Sequence, residues 1–179
     1  MTFIIIWIMM NRVAITGIGC RTPLGNDYET VKNSLLNGIK GSKQDMFGSS
    51  AFIVSEDVNL NFDKIDLNIT DRFSRLAWLS YKDAIKESNI KPEGIFLGVG
   101  YGGGALSYEE SYRSLFAKGK VKPSALVSSV VNMGANYIAL KDSLDGPAFT
   151  YSTACSSSST AIGEAYKKIY YGEYDCLAV

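Results

Sequence analysis

No histidine occurs anywhere among the 179 residues. The usual general base at neutral pH is therefore missing, and so is the commonest nitrogen ligand for a metal. Any Cys–His or Ser–His pair would need its histidine from outside this sequence. Cysteine is scarce: Cys20, Cys155 and Cys176 form an odd set without C-x-x-C spacing. No histidine is there to complete a zinc site with them, and this usage fits a reducing cytoplasm. A net charge is lacking too, since 18 basic residues balance 18 acidic ones and no dense Lys/Arg block occurs. Nucleic acid and anionic membrane surfaces are therefore disfavoured as partners. Long apolar runs are absent as well. The opening "MTFIIIWIMM" falls far short of the roughly 20 residues that span a bilayer, and it has neither a basic n-region nor a small-residue cleavage site.

What is present is ordinary globular composition, 46% hydrophobic and 20% charged, enough for one domain with a substantial core. Residues 1–10 read as an N-terminal extension to a domain over 11–179. "MNRVAITGIG" from Met10 would itself make a sensible start, so the first nine residues are either an upstream-start extension or an extra edge strand.

From Arg12 the chain alternates β-rich runs with amphipathic stretches. "RVAITGIG" predicts a strand entering a glycine turn. "NDYETVKNSLLNG" predicts a helix capped by Asn26 or Asp27, with Tyr28, Val31 and Leu35 on one face and Gly38 ending it. Residues 39–70 read as a loop-rich excursion. "DRFSRLAWLSYKDAIKESN" places Phe73, Leu76, Ala77, Tyr81, Ala84 and Ile85 close to a helical repeat. "GIFLGVG" predicts a strand buried on both faces. Helices are expected over about 106–118 and 124–140, then a strand at "PAFTYSTA". A helix over roughly 156–171 follows, with Ala161, Ile162, Ala165 and Ile169 on one face and Gly172 closing it. "CLAV" begins another strand. Such alternation predicts an α/β layered fold with a mostly parallel sheet covered by helices. A buried strand is normally followed by a covering helix, so ending on this apolar run points to a domain interrupted at its C-terminus.

Cys155 lies where the strand "PAFTYSTA" turns into a helix. A nucleophile at such a turn is exposed at the sheet edge, and the positive end of the helix favours a thiolate. Ser156 to Ser159 and Thr160 supply small side chains beside it. The competing reading is a buried structural cysteine, and the local pattern leaves both open.

"GVGYGGG" satisfies G-x-G-x-x-G through Gly98, Gly100 and Gly103. A dinucleotide site also needs an acid about 20 residues on, where this chain has "KGKVKPS". Bare backbone beside something bulky, an acyl chain or the cysteine's own loop, accounts for the glycines better. Asn132 and Asn136 stand at i, i+4 on one helix face of "VVNMGANYIALKDSLDGPA".

Five stretches in this order, "RVAITGIGCRTPLGN", "GVGYGGG", "VNMGANYIALKDSLDGP", "TACSSSST" and "AYKKIYYGEYDCLAV", resemble the N-terminal half of a β-ketoacyl-(acyl carrier protein) synthase. This is an elongating condensing enzyme of the thiolase fold. The resemblance implies that Cys155 takes an acyl group from a carrier-protein thioester, its backbone N–H forming part of the oxyanion hole. A decarboxylated malonyl thioester then attacks the acyl-cysteine. Two histidines of the family's C-terminal half serve that step, and this chain has neither.

The resemblance also places Gly102, Gly103, Gly104, Met133 and Asn136 along an acyl tunnel. Ser124 and Ala125 stand where related enzymes carry bulky aromatics, which hints at a roomier pocket. It further implies an acyl carrier protein as partner, a homodimer or heterodimer, a cytoplasmic setting, a role in fatty acid or polyketide synthesis, and no cofactor. The alternatives are a non-catalytic chain-length partner of a condensing heterodimer, against which the retained Cys155 argues, and a nucleotide-binding domain, against which the missing acid argues.

Overall fold

The structure, a computed structural model, describes residues 10–44, 50–52, 54, 62–102 and 104–179. From Met10 to Arg21 the described chain forms no strand, contrary to the expectation for "RVAITGIG". Its backbone is engaged elsewhere. The Asn11 N–H donates to the Tyr170 carbonyl at 2.9 Å, and the Ile18 N–H donates to the Glu87 carboxylate at 2.7 Å. Gly17 and Gly19 press directly against the backbone carbonyls of Ala84 and Ser80. A β-like sequence becomes a strand only beside a partner ladder, and none of the described residues supplies one here.

Helix α1 (Tyr28–Leu36) starts at Asp27, whose carboxylate accepts from the Thr30 N–H at 2.9 Å. It ends before Gly38, at φ 64°. The buried residue of α1 is Ser34, whose hydroxyl donates to the Leu24 carbonyl, while Leu35 of the expected apolar face is exposed. The stretch expected to be loop-rich contains an antiparallel pair, β1 (Ser42–Gln44) with β2 (Ser50–Phe52), and a helix, α2 (Lys64–Ile69). Helix α2 has no long apolar repeat to betray it. It rests on the Asp63 cap and on the ion pair of buried Asp66 with Lys141 at 2.9 Å.

Helix α3 (Arg72–Ser88) matches its expected span. Asp71, buried, accepts from the Ser74 N–H at 2.7 Å at its start, and Asn89 in the left-handed region at φ 54° ends it. Asp71→Ala removes that cap and should lower unfolding stability by about 1 kcal/mol. A chemical-denaturation midpoint that does not move would refute this.

Strand β3 (Gly94–Gly98) is followed by α4 (Gly104–Lys118), α5 (Ala125–Ser129) and α6 (Met133–Lys141). The last two replace the single helix expected over 124–140. Val130 is extended, at φ −69° and ψ 128°, and breaks the run. The break lets the Asn132 side chain accept from the Thr150 hydroxyl at 2.6 Å, tying the start of α6 to the sheet. Strand β4 (Ala148–Tyr151), α7 (Ser157–Tyr170) and β5 (Leu177–Ala178) complete the described elements.

Strands β4 and β5 flank β3, and all three are parallel. The alternation of side chains along β3 then builds two cores. Phe96, fully buried, packs with Ala161 and Ala165 of α7 on one face. Ile95 packs with Ala135 and Ile138 of α6 and with Tyr81 of α3 on the other. The layers run α7, sheet, α6, α3, which is the expected α/β architecture. Ile162 departs from its expected face and is 57% exposed. The buried stripe follows the i, i+4 step from Ala161 to Ala165, and Ile162 is turned about 100° away from it.

Candidate active site

The turn that carries Cys155 is held between two strand ends and a helix start. At the end of β3 the Val99 N–H donates to the Tyr151 carbonyl at 2.8 Å, the last rung before the chain leaves β4. Residues Ala154–Ser156 then form one turn of 3-10 helix, and α7 begins at Ser157. Ala154 has φ 53°, a left-handed conformation that costs a non-glycine residue about 1 kcal/mol. Cys155 follows it directly and is exposed, as an acyl acceptor requires. The free-energy cost at Ala154 is offset by hydrogen bonds. The Ser157 hydroxyl accepts from the Thr153 N–H at 2.9 Å and lies 2.6 Å from the Ala154 carbonyl and 3.0 Å from the Val99 carbonyl. The Ser156 hydroxyl donates to the Thr153 carbonyl at 2.8 Å.

The glycines of "GVGYGGG" divide by role. A Cβ on Gly98 would lie 2.5 Å from the Ser158 Cα, so this glycine lets β3 abut the start of α7. Gly100 faces the Ala154 carbonyl. Of the two explanations for bare backbone here, the cysteine's own loop is the one the contacts support.

The described residues expected along an acyl tunnel lie on α4, on α6 or in the loop before α4. Gly102 adopts φ 75°, Gly104 abuts the Ser129 carbonyl of α5, and Gly103 lies outside the described residues. Met133 is half-buried at the start of α6, whereas Asn136 is exposed and accepts from the Asn132 side chain at 2.8 Å. A cavity of about 450 Å³ opens elsewhere, lined by Thr70, Arg72, Arg75, Ser107, Glu110 and Lys122 among others. An open apolar groove runs beside Tyr108, Tyr112, Leu115 and Val121. Neither is lined by Cys155, Met133 or Asn136.

In the sequence Ser157 reads only as one of the small side chains beside Cys155, although it stands one helical turn before Ala161 on the same buried stripe. Among the described residues no group of three His, Cys, Asp or Glu is placed to hold a metal, and no helix is long and apolar enough to cross a membrane.

Cys176 offers an internal contrast. Burial, with help from the nearby Glu93 carboxylate, pushes its thiol up from the ordinary cysteine range. Less of it is thiolate at neutral pH, and it is only partly accessible. Iodoacetamide at pH 7 should therefore alkylate Cys155 before Cys176, and peptide mass spectrometry showing the reverse order would refute this.

The family pattern described as "Beta-ketoacyl synthase, N-terminal domain" matches residues 10–179. The chain belongs to the β-ketoacyl synthase family. One similar relative is 3-oxoacyl-[acyl-carrier-protein] synthase 2 of Staphylococcus aureus (strain COL), 28% identical over 93% of this chain and 44% of the relative. The chain thus spans less than half the length of such relatives. A β-ketoacyl synthase from Burkholderia phymatum STM815 superposes with a TM-score of 0.74 at 23% identity, covering 91% of this chain and 44% of that one. The ishigamide ketosynthase/chain length factor superposes with a TM-score of 0.80 at 20% identity, covering 92% and 45%. These likenesses establish the thiolase-like fold of the N-terminal half.

Proposed function

We propose that this chain carries the nucleophile of a condensing acyltransferase, with Cys155 accepting an acyl group from an acyl-carrier-protein thioester. The observation that carries the reading is the exposed thiol of Cys155 on a left-handed turn immediately before α7. The Cys155 thiolate attacks the thioester carbonyl carbon. The carbon–sulfur bond to the carrier breaks, and the carrier thiol leaves with a proton. In the second half-reaction a malonyl thioester loses carbon dioxide. The electron pair of the broken carbon–carbon bond becomes an enolate that attacks the acyl-cysteine carbonyl, and the Cys155 thiolate departs from a β-ketoacyl product. The developing enolate needs donors in place to stabilise it. With no histidine in these 179 residues, both histidines of that step come from outside them.

The name of the Staphylococcus aureus relative supports an acyl carrier protein as partner. A dimeric assembly is supported by β4, an edge strand among the described residues, whose Phe149 is 52% exposed. The reading is tested by incubating the intact gene product with an acyl-carrier-protein thioester. Intact-protein and peptide mass spectrometry should find one acyl group, on Cys155. Acylation at another residue, or none, would overturn it.

A further inference from the structure

We propose that Ser157 is the positioning residue of this site. Its buried hydroxyl holds the turn before Cys155 in its left-handed form and so fixes how the thiol meets an acyl donor. The inference rests on the reading of Cys155 as acyl acceptor. Across residues 152–159 only Ser157 is buried, at 2% exposure. Three backbone groups converge on its single oxygen: the Thr153 N–H at 2.9 Å, the Ala154 carbonyl at 2.6 Å and the Val99 carbonyl at 3.0 Å. The hydroxyl accepts from the first. It donates its one proton to the Ala154 carbonyl, with the Val99 carbonyl as the other acceptor in reach.

Two of these groups belong to the residues immediately before Cys155, and the third belongs to the end of β3. The hydroxyl therefore couples the strained peptide to the sheet. The anchor is stiff, because the Gly98 contact leaves no room for the first residues of α7 to shift toward β3. Ser156 bonds to the same turn but is exposed, so water replaces its hydroxyl when that is removed. At Ser157, removal takes the buried partner from the Thr153 N–H and the hydroxyl proton from the Ala154 and Val99 carbonyls, and with them the link from the Ala154 turn to the end of β3; the Ser157 backbone N–H still reaches the Ala154 carbonyl but does not reach the sheet through Val99.

The test compares acylation of Cys155 in the intact gene product with that in Ser157→Ala and in Ser157→Ala combined with Ala154→Gly. Ser157→Ala should slow acylation about tenfold or more at saturating donor, with half-saturation moved by less than about twofold. Glycine takes a positive φ without strain, so the added Ala154→Gly should restore about half of the loss on a logarithmic scale. A wild-type rate in Ser157→Ala would overturn the proposal. So would a loss that Ala154→Gly leaves untouched, as a purely structural role for Ser157 predicts.

Alkylation of Cys155 by iodoacetamide, run on the same proteins, needs no acyl donor. If wild type is not acylated but Ser157→Ala still changes alkylation, the functional reading falls and the positioning role stands. Should Ser157→Ala not fold, deuterium exchange in the unaltered protein decides. The Thr153 amide, on an exposed residue, should exchange at least about tenfold more slowly than an unstructured amide. Free exchange would overturn the proposal.

Discussion

Cys155→Ala is expected to abolish acyl loading and to lower turnover with acyl and malonyl thioesters by about 10³-fold or more. No neighbouring group can take over. The hydroxyls nearest in sequence belong to Ser156, Ser157 and Thr153; the first two are committed to hydrogen bonds within the turn, and the Thr153 hydroxyl accepts from Ser156 and pairs with the Thr160 hydroxyl of α7. A serine or threonine hydroxyl without an adjacent base is a far weaker nucleophile than a thiolate, and this chain contains no histidine. The substitution should leave the fold alone, because Cys155 is exposed and the turn is built from its neighbours. Stability should move by less than about 0.5 kcal/mol, the usual range for a surface change that removes no structural contact. Lost loading with an unmoved melting temperature is therefore the expected pair of results. Retained loading in Cys155→Ala would remove the nucleophile assignment. Cys155→Ser is the graded companion: it keeps a nucleophilic oxygen in place but should retain only a small fraction of activity.

The elements legible in the sequence are those whose pattern is local. Helix α3 writes its apolar face six times over one continuous stretch, and Asp71 and Asn89 mark its ends. Strand β3 reads as buried on both faces, and Phe96 and Ile95 do fill opposite cores. The misses depend on distant partners. "RVAITGIG" has the composition of a strand, but its backbone bonds go to Tyr170 and to the Glu87 side chain. The helix expected over 124–140 is cut at the extended Val130, and the Asn132 side chain beyond the break accepts from Thr150 of the sheet. Helix α2 depends on Lys141, more than 70 residues away from Asp66 along the chain.

The site shows the same division. That a cysteine sits between strand and helix is plain from the order of residues, and so is the need for bare backbone in "GVGYGGG". Which of four consecutive serines is buried is not a matter of residue type. It follows from counting back one turn from Ala161, and the counting matters only once Ala161 is known to face Phe96. The contact between Gly98 and α7 joins residues 60 apart, and no local pattern announces it.

That contact sets the second large expected effect. A Cβ at position 98 would lie 2.5 Å from the Ser158 Cα, 2.6 Å from the Ser158 nitrogen and 2.7 Å from the Ser157 carbonyl carbon. All three are backbone atoms at the start of a helix, so no side chain can swing aside to make room. Gly98→Ala must push α7 away from β3 or break the β3–β4 rungs beside it. Overpacking of this kind should destabilise the protein by about 3 kcal/mol, read as a lowered denaturation midpoint. The same displacement moves Ser157, and with it the turn that presents Cys155. Acyl loading per folded molecule should fall about 100-fold, as misplacements near 1 Å do.

Gly100→Ala is the control. Its Cβ would meet only the Ala154 carbonyl, at an ordinary 3.6 Å, and should leave both stability and loading close to wild type. The pair also separates two accounts of one glycine motif. A phosphate-cradling loop needs bare backbone at both positions, whereas a loop shaped to seat the cysteine's helix needs it at Gly98 far more than at Gly100. Equal tolerance of alanine at the two positions would refute the packing account.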